Sequence, residues 1–336
     1  MKKVLASLLI LFVVLSAMML DVSRANSLNP SNVSPIYIRS DGSIEPSTAP
    51  IQHTGSIYTL TDNIQNCNIT IQRNNIILDG AGFSLQGLRD IYNLAAISMT
   101  CTNVTVFNFN ISDWNLGILG VYDNNTIQSN YFSNNNLDVA VYASNYKIIG
   151  NRIGPERIVG NNNIISQNQI VLGDYETGFW ITNCTALKIE SNNITFSKLT
   201  YFFISKQNSE FQVYHNNFLN IEVLTLGTLL YPKSANTIPW DNGVEGNCWS
   251  DYTRRYPQAV EIGNSGIGNI TYISEAAPKV IDRYPLVRPY NYTLPSSPTV
   301  PEFSWLTILP LLLSIPIVLV TMRKRITKKL ITRQQQ

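Results

Sequence analysis

Charge is scarce in this chain. Lys, Arg, Asp and Glu make up 14% of its 336 residues and leave a formal net charge of +2. The positive excess collects near the C-terminus, in Arg323-Lys-Arg325 and Lys328-Lys329. No basic face runs along the body, which excludes nucleic acid as a partner. Histidine is rarer still, with only His53 and His215, and the five methionines fall mostly near the two ends. A copper site built on imidazole or thioether needs several such ligands together, so no metal and no cofactor is expected. Helical patterning is also missing: no segment of the body carries an apolar stripe longer than a turn or two, which excludes a helical bundle.

What the chain does contain is a returning phrase. It reads Ile127-Gln-Ser-Asn130-Tyr-Phe132, then Ile148-Ile-Gly-Asn151-Arg-Ile153, Ile165-Ser-Gln-Asn168-Gln-Ile170, Ile189-Glu-Ser-Asn192-Asn-Ile194 and Val213-Tyr-His-Asn216-Asn-Phe218. The asparagines stand 21, 17, 24 and 24 residues apart, the length of one coil of a solenoid. Apolar residues flank each Asn at alternate positions, which is strand periodicity. An Asn in phase in every coil suits the bend between two short strands, because it tolerates the left-handed conformation and its amide can bond to the Asn above. The expected fold is all-β, a right-handed parallel β-helix of the pectate-lyase-like kind. Asn130, Asn151, Asn168, Asn192 and Asn216 should form one lateral column beside an Ile/Val/Phe interior.

The ends read differently. Met1-Lys2-Lys3, an apolar run from Val4 to Leu20 and Ser23-Arg24-Ala25 have the three parts of a secretory signal, predicting a cut after Ala25. Residues 26–74 read as an N-terminal cap with the first strands, 75–235 as the rungs, 236–290 as a C-terminal cap and 291–303 as a Pro-containing linker. Residues 304–322 read as a transmembrane helix: from Trp305 to Met322 the segment is apolar, interrupted only by Ser, Thr and two prolines, and spans about 27 Å as a helix, enough to cross a membrane. The basic tail 323–336 then predicts a cytoplasmic C-terminus, with the body outside the cell.

Ile36-Tyr-Ile-Arg-Ser-Asp-Gly-Ser-Ile44, Asp79-Gly-Ala-Gly82, the Asn-centred rungs, Gly246-Asn-Cys-Trp249-Ser-Asp-Tyr252 and Asp282-Arg-Tyr-Pro-Leu286 together resemble archaeal surface proteins with NosD-like β-helices. These belong to a wider group named for carbohydrate-binding proteins and sugar hydrolases. The resemblance covers roughly residues 35 to 290 and implies a cell-surface repeat domain. In that family the segment after Trp-Ser-Asp-Tyr usually carries an Asp-rich Gly-Ile-Gly turn able to hold calcium. Here Glu261-Ile-Gly-Asn-Ser-Gly-Ile-Gly268-Asn269 has Asn and Ser in place of most carboxylates, which predicts a cap of turns and aromatics without a tight calcium site. Pro301-Glu302-Phe303, set just before the apolar segment, resembles the PEF-type sorting signal of archaeal surface proteins. That resemblance implies processing by a membrane archaeosortase; a permanent single-pass anchor is the other reading.

Glycoside hydrolysis needs two carboxyl groups about 10 Å apart or less on one face. Among the acids of the rungs, Asp138 and Glu176 share an offset of eight residues from the repeat Asn, which makes them the best pair. The adjacent-Asp, Gly-His-Gly and Arg-Ile-Lys segments of polygalacturonase-like β-helices are absent, so the chain reads as a non-catalytic structural or carbohydrate-binding ectodomain, with a β-helix hydrolase or lyase as the alternative. Exposed rings suit sugars. Alternation in Gly178-Phe179-Trp180-Ile181 puts Trp180 outside, and Tyr122 and Tyr142, twenty residues apart, are expected one above the other on the same wall. The ligand would be an envelope or extracellular polysaccharide.

Cys67, Cys101, Cys184 and Cys248 form an even set, yet Cys101 and Cys184 align four coils apart, about 19 Å at the usual strand spacing and far beyond disulfide reach. Free buried thiols are expected. Nine Asn-X-Ser/Thr sequons, at Asn32, Asn68, Asn103, Asn110, Asn124, Asn183, Asn193, Asn269 and Asn291, would be open to glycosylation where they face outward. Asn193 reads as outward, Asn103 and Asn110 as close to inward strands, and His215 as a surface side chain.

Overall fold

A computed structural model of the protein describes residues 35–89, 94–173, 177–196, 201–204, 210–221, 240–274 and 280–291. The signal segment, Glu176, the Pro301-Glu302-Phe303 motif, the apolar segment 304–322 and the basic tail lie outside the described residues. Among the described residues no helix is long and apolar enough to cross a membrane.

The described chain is all-β and built of stacked parallel strands. Three sheets of nine strands run along it, and each full coil gives one strand to each sheet. The middle coils show the plan. Leu116–Gly120, Leu137–Tyr142 and Glu156–Val159 are neighbours in the first sheet. Thr126–Gln128, Lys147–Ile149 and Ile164–Ser166 are neighbours in the second, and Tyr131–Ser133, Arg152–Ile153 and Gln169–Leu172 in the third. Parallel pairing starts at Ile36–Ile38 against Ile69–Ile71 and continues to Cys248–Trp249 against Asn217–Leu219.

Strand alternation fills the interior with columns. In the second sheet Val106, Ile127, Ile148, Ile165, Ile189 and Val213 stand in register, each at most 1% exposed. In the third, Ile170, Ile194, Phe218 and Trp249 stand in register too, each at most 2% exposed. Each such side chain contributes about 1.5–3 kcal/mol of burial, which is why one apolar position per strand in every coil holds the register.

The corners follow a rule of two residues, the first left-handed and the second inward. Asn103, Asn108 and Asp113 take positive φ in one coil, and Asn124, Ser129 and Asn134 in the next, so two sides of the coil are five residues long. The residues that follow, Val104, Phe109 and Trp114, then Asn125, Asn130 and Asn135, are buried. The repeat asparagines therefore do not take the left-handed conformation themselves. Ser129, Gly150, Gln167, Ser191 and His215, one place earlier, do so, with φ between 53° and 65°.

Asn130, Asn151, Asn168, Asn192 and Asn216 form one buried column, each at most 2% exposed. The Oδ1 of Asn151 accepts the backbone N–H of Asn130 at 2.8 Å, and the same bond runs from Asn151 to Asn168, Asn168 to Asn192 and Asn192 to Asn216 at 2.8–3.0 Å. Each Nδ2 donates back to a carbonyl one rung earlier, as Asn168 does to Ile148 at 2.9 Å. A corner cannot close a sheet ladder, so these amides supply the partners that its buried backbone would otherwise lack.

Both described ends carry antiparallel pieces. Ile51–Thr54 folds back on Ile57–Leu60, and Ile44–Glu45 on Ile36–Ile38. At the other end Trp249 stacks between Phe218 and Tyr272, with ring centroids 4.3 and 4.2 Å away. The loop Glu261–Gly268 closes as a turn in which Glu261 accepts the Gly266 N–H and pairs with Arg288.

Candidate ligand-binding surfaces

The first sheet carries the ring that alternation sends outward. Phe179 and Ile181 are wholly buried, while Trp180 between them is 39% exposed. Register aligns Trp180 with Arg157 on the preceding strand. The Arg157 guanidinium carbon stands 5.0 Å from the Trp180 ring centroid, and its Nη1 donates to Tyr142 Oη at 3.2 Å. Tyr142 is 43% exposed. Two rings on strands two rungs apart are thus bridged by a cation stacked on one and hydrogen-bonded to the other.

Tyr122 does not join them. Gly120 is level with Val141, so Tyr142 continues the register beside Val121, and Tyr122 falls one residue out of phase beyond the strand end. Its backbone carbonyl is tied to Asn125 Nδ2 at 2.8 Å. The residue that completes the wall is Arg157, which sequence reading passed over. Its alternation with inward Ile158 was the signal available.

Asp138 lies where the third sheet turns into the first and is 4% exposed. Its Oδ1 accepts Asn135 Nδ2 at 2.9 Å and its Oδ2 the Gly154 N–H at 2.5 Å. The acid the fold brings near it is Glu156. Val139, Glu156 and Phe179 share one inward column, and Glu156 is 0% exposed. Neither Glu156 oxygen has a hydrogen-bond partner among the described residues. Burial, and then the charge of Asp138, raises its pKa well above the ordinary 4.5. The parity that sets Ile158 inward also sets Glu156 inward, so the sequence did hold this signal. Glu156 is walled off from solvent, and the couple presents only Asp138 to a ligand.

The four cysteines are free thiols. Cys101 donates to the carbonyl of Arg73 at 3.1 Å and Cys184 to that of Thr182 at 3.3 Å. Burial pushes the thiols of Cys101, Cys184 and Cys248 up to about 11. Three sequons differ from expectation. Asn103 and Asn110 are exposed, because the first occupies a left-handed corner and the second faces out of its strand. Asn193 is half-buried, its Oδ1 taken by Asn217 Nδ2 at 2.6 Å. His215 is not a free surface group: it stacks 4.1 Å from Tyr290 and its Nε2 lies 2.6 Å from Glu245.

Compared with protein-family models and with curated proteins, the chain matches none.

Proposed function

We propose that this chain is a cell-surface, membrane-tethered right-handed parallel β-helix whose outer wall binds carbohydrate. The observation that carries the reading is the pair of exposed rings Tyr142 and Trp180 on the outer wall of the first sheet, joined by half-buried Arg157, which is level with Trp180 and reaches Tyr142 two residues further along its strand. Rings exposed on a rigid sheet offer apolar faces for sugar rings, and the asparagine-rich corners offer uncharged donors and acceptors for hydroxyls. The membrane tether and the outside location rest on the apolar segment 304–322 and the basic tail, and archaeosortase processing on Pro301-Glu302-Phe303. A hydrolase reading has less support, because Glu156, the acid beside Asp138, is enclosed in the core.

The test is a glycan array on the full chain beside a reducing-sugar assay. Binding at the wall should be weak and unchanged by added calcium. Trp180→Ala should abolish it with the melting temperature nearly unchanged, since an outward ring adds little to the core. Unfolding of that variant would make Trp180 a packing residue and end the reading. Sugar cleavage that Asp138→Asn removes would put the enzyme in its place.

A further inference from the structure

The corner between the third and first sheets opens into a cavity of about 320 Å³ lined in part by Asp138. That is the size of a site for one small ligand. Buried Phe132, Ile153 and Pro155 form apolar walls, while Arg89 and Arg152 line the cavity as exposed cations. Arg152 Nη1 donates to Tyr131 Oη at 2.5 Å, and its guanidinium carbon lies 4.7 Å from the Tyr131 ring centroid. Arg89 Nε donates to Asn136 Oδ1 at 2.8 Å and Arg89 Nη1 to Asn134 Oδ1 at 2.7 Å. All these acceptors are neutral. Among the described residues no carboxylate is bonded to either guanidinium, although Asp113, which accepts Asn134 Nδ2, feels the charge of Arg89; each arginine has more N–H donors than these bonds use, the arrangement that receives an oxyanion.

Asp138 limits what that anion can be. Its carboxyl oxygens receive Asn135 and Gly154, and they place negative character in the same cavity as the arginines. A compact dianion meets that charge, whereas a ligand with one anionic group and a hydroxylated body can set its charge on the arginines and donate a hydroxyl to Asp138. Tyr131 and Val171, each 40% exposed, leave apolar surface beside the cavity for the body of such a ligand. We propose that this corner binds a single anionic sugar unit, with its carboxylate or sulfate between Arg89 and Arg152 and a hydroxyl on Asp138. The inference rests on the saccharide reading for the class of ligand, and not on Trp180.

The experiment titrates the full chain by calorimetry with glucuronate, glucose 6-sulfate, glucose and inorganic sulfate. At least one acidic sugar should bind at least tenfold more tightly than glucose and than inorganic sulfate, the two acid probes telling carboxylate from sulfate. Arg89→Met and Arg152→Met should each weaken that binding at least tenfold without moving the melting temperature, and Trp180→Ala should leave it unchanged. Glucose or inorganic sulfate binding as tightly as the acidic sugars, or wild-type affinity in both arginine variants, overturns the proposal. Acid-sugar binding that survives Trp180→Ala while the array finds nothing at the wall leaves this pocket standing and sinks the wall. The reverse pattern sinks the pocket alone.

Discussion

Asn168→Val tests what the buried amide column does. Valine nearly matches asparagine in size, so the substitution removes hydrogen bonds without opening a large cavity. The Asn151 N–H loses its acceptor, Asn168 Oδ1 at 2.8 Å, and an orphaned buried N–H costs about 1–3 kcal/mol. The two bonds from Asn168 Nδ2, to Ile148 O at 2.9 Å and to Asn192 Oδ1 at 3.0 Å, contribute about 1 kcal/mol each. Burial of the valine returns about 1–2 kcal/mol, leaving a net loss of roughly 1–4 kcal/mol with its centre above 2. The neighbouring Gln167→Val is the control, because Gln167 and not Asn168 holds the left-handed corner, at φ 57°. A β-branched residue there adds about 1 kcal/mol of strain on what glutamine already bears. Urea unfolding followed by far-UV circular dichroism should therefore rank Asn168→Val as the more damaging of the two. If Gln167→Val costs as much or more, backbone conformation and not the amide ladder decides stability at this corner.

Glu156→Met should raise stability at neutral pH. The folded state holds the Glu156 proton more tightly than the unfolded chain, so stability is full below about pH 4.5 and falls by about 1.4 kcal/mol per pH unit until the folded pKa is passed. Asp282, which burial pushes up to about 6, adds a fall of its own between pH 3.8 and about 6. The difference between wild-type and Glu156→Met melting profiles isolates the glutamate, and identical slopes would show that it is not buried in its acid form. Native protein treated with iodoacetamide at pH 8 should be modified first at half-buried Cys67, with Cys101, Cys184 and Cys248 protected until denaturant is added. Peptide mass spectrometry reads the order.

The repeat was legible because one apolar position per strand and one Asn per coil both survive irregular spacing. Steps of 21, 17 and 24 residues change only the length of a loop, and the strands on either side keep their phase. The conformation of the corner was not legible from Asn alone. Asparagine favours both the left-handed position and the inward amide position, and Asn124-Asn125 and Asn134-Asn135 fill the two in succession. The wall was half legible. Alternation sends Trp180 outward, but pairing Tyr122 with Tyr142 needed the strand end, which a count of twenty residues does not give. Arg157 and Glu156 escaped because charged residues on a solenoid are read as solvated, and only their parity with Ile158 says that one faces out and the other in. The corner pocket joins Arg89, Asp138 and Arg152 from three coils, a grouping that exists only once the register is known.

The amide column also explains why two distant phrases of the sequence belong together. Each asparagine sends its backbone N–H forward to the Oδ1 of the next rung, so the column has a direction and its last N–H needs an acceptor that is not another asparagine. The column begins at Phe109, whose N–H donates to Asn130 and whose ring lies where a Cβ at Gly80 would stand. It runs through Asn216 to Asn247, and the Asn247 N–H ends on Asp282 Oδ2 at 2.7 Å. A carboxylate suits that terminus for the reason it suits the start of a helix: aligned N–H dipoles accumulate positive character at the end where they emerge. Trp249 Nε1–H donates to the same oxygen at 2.8 Å, and the Tyr284 N–H donates to Oδ1 at 3.1 Å. A Cβ on Gly246 would stand 1.8 Å from Asp282 Oδ1, so only glycine admits the carboxyl there. Gly246-Asn247-Cys248-Trp249 and Asp282-Arg283-Tyr284 are two halves of one device that ends the ladder. The stack of Phe218, Trp249 and Tyr272 covers the interior at the rung where the amides stop.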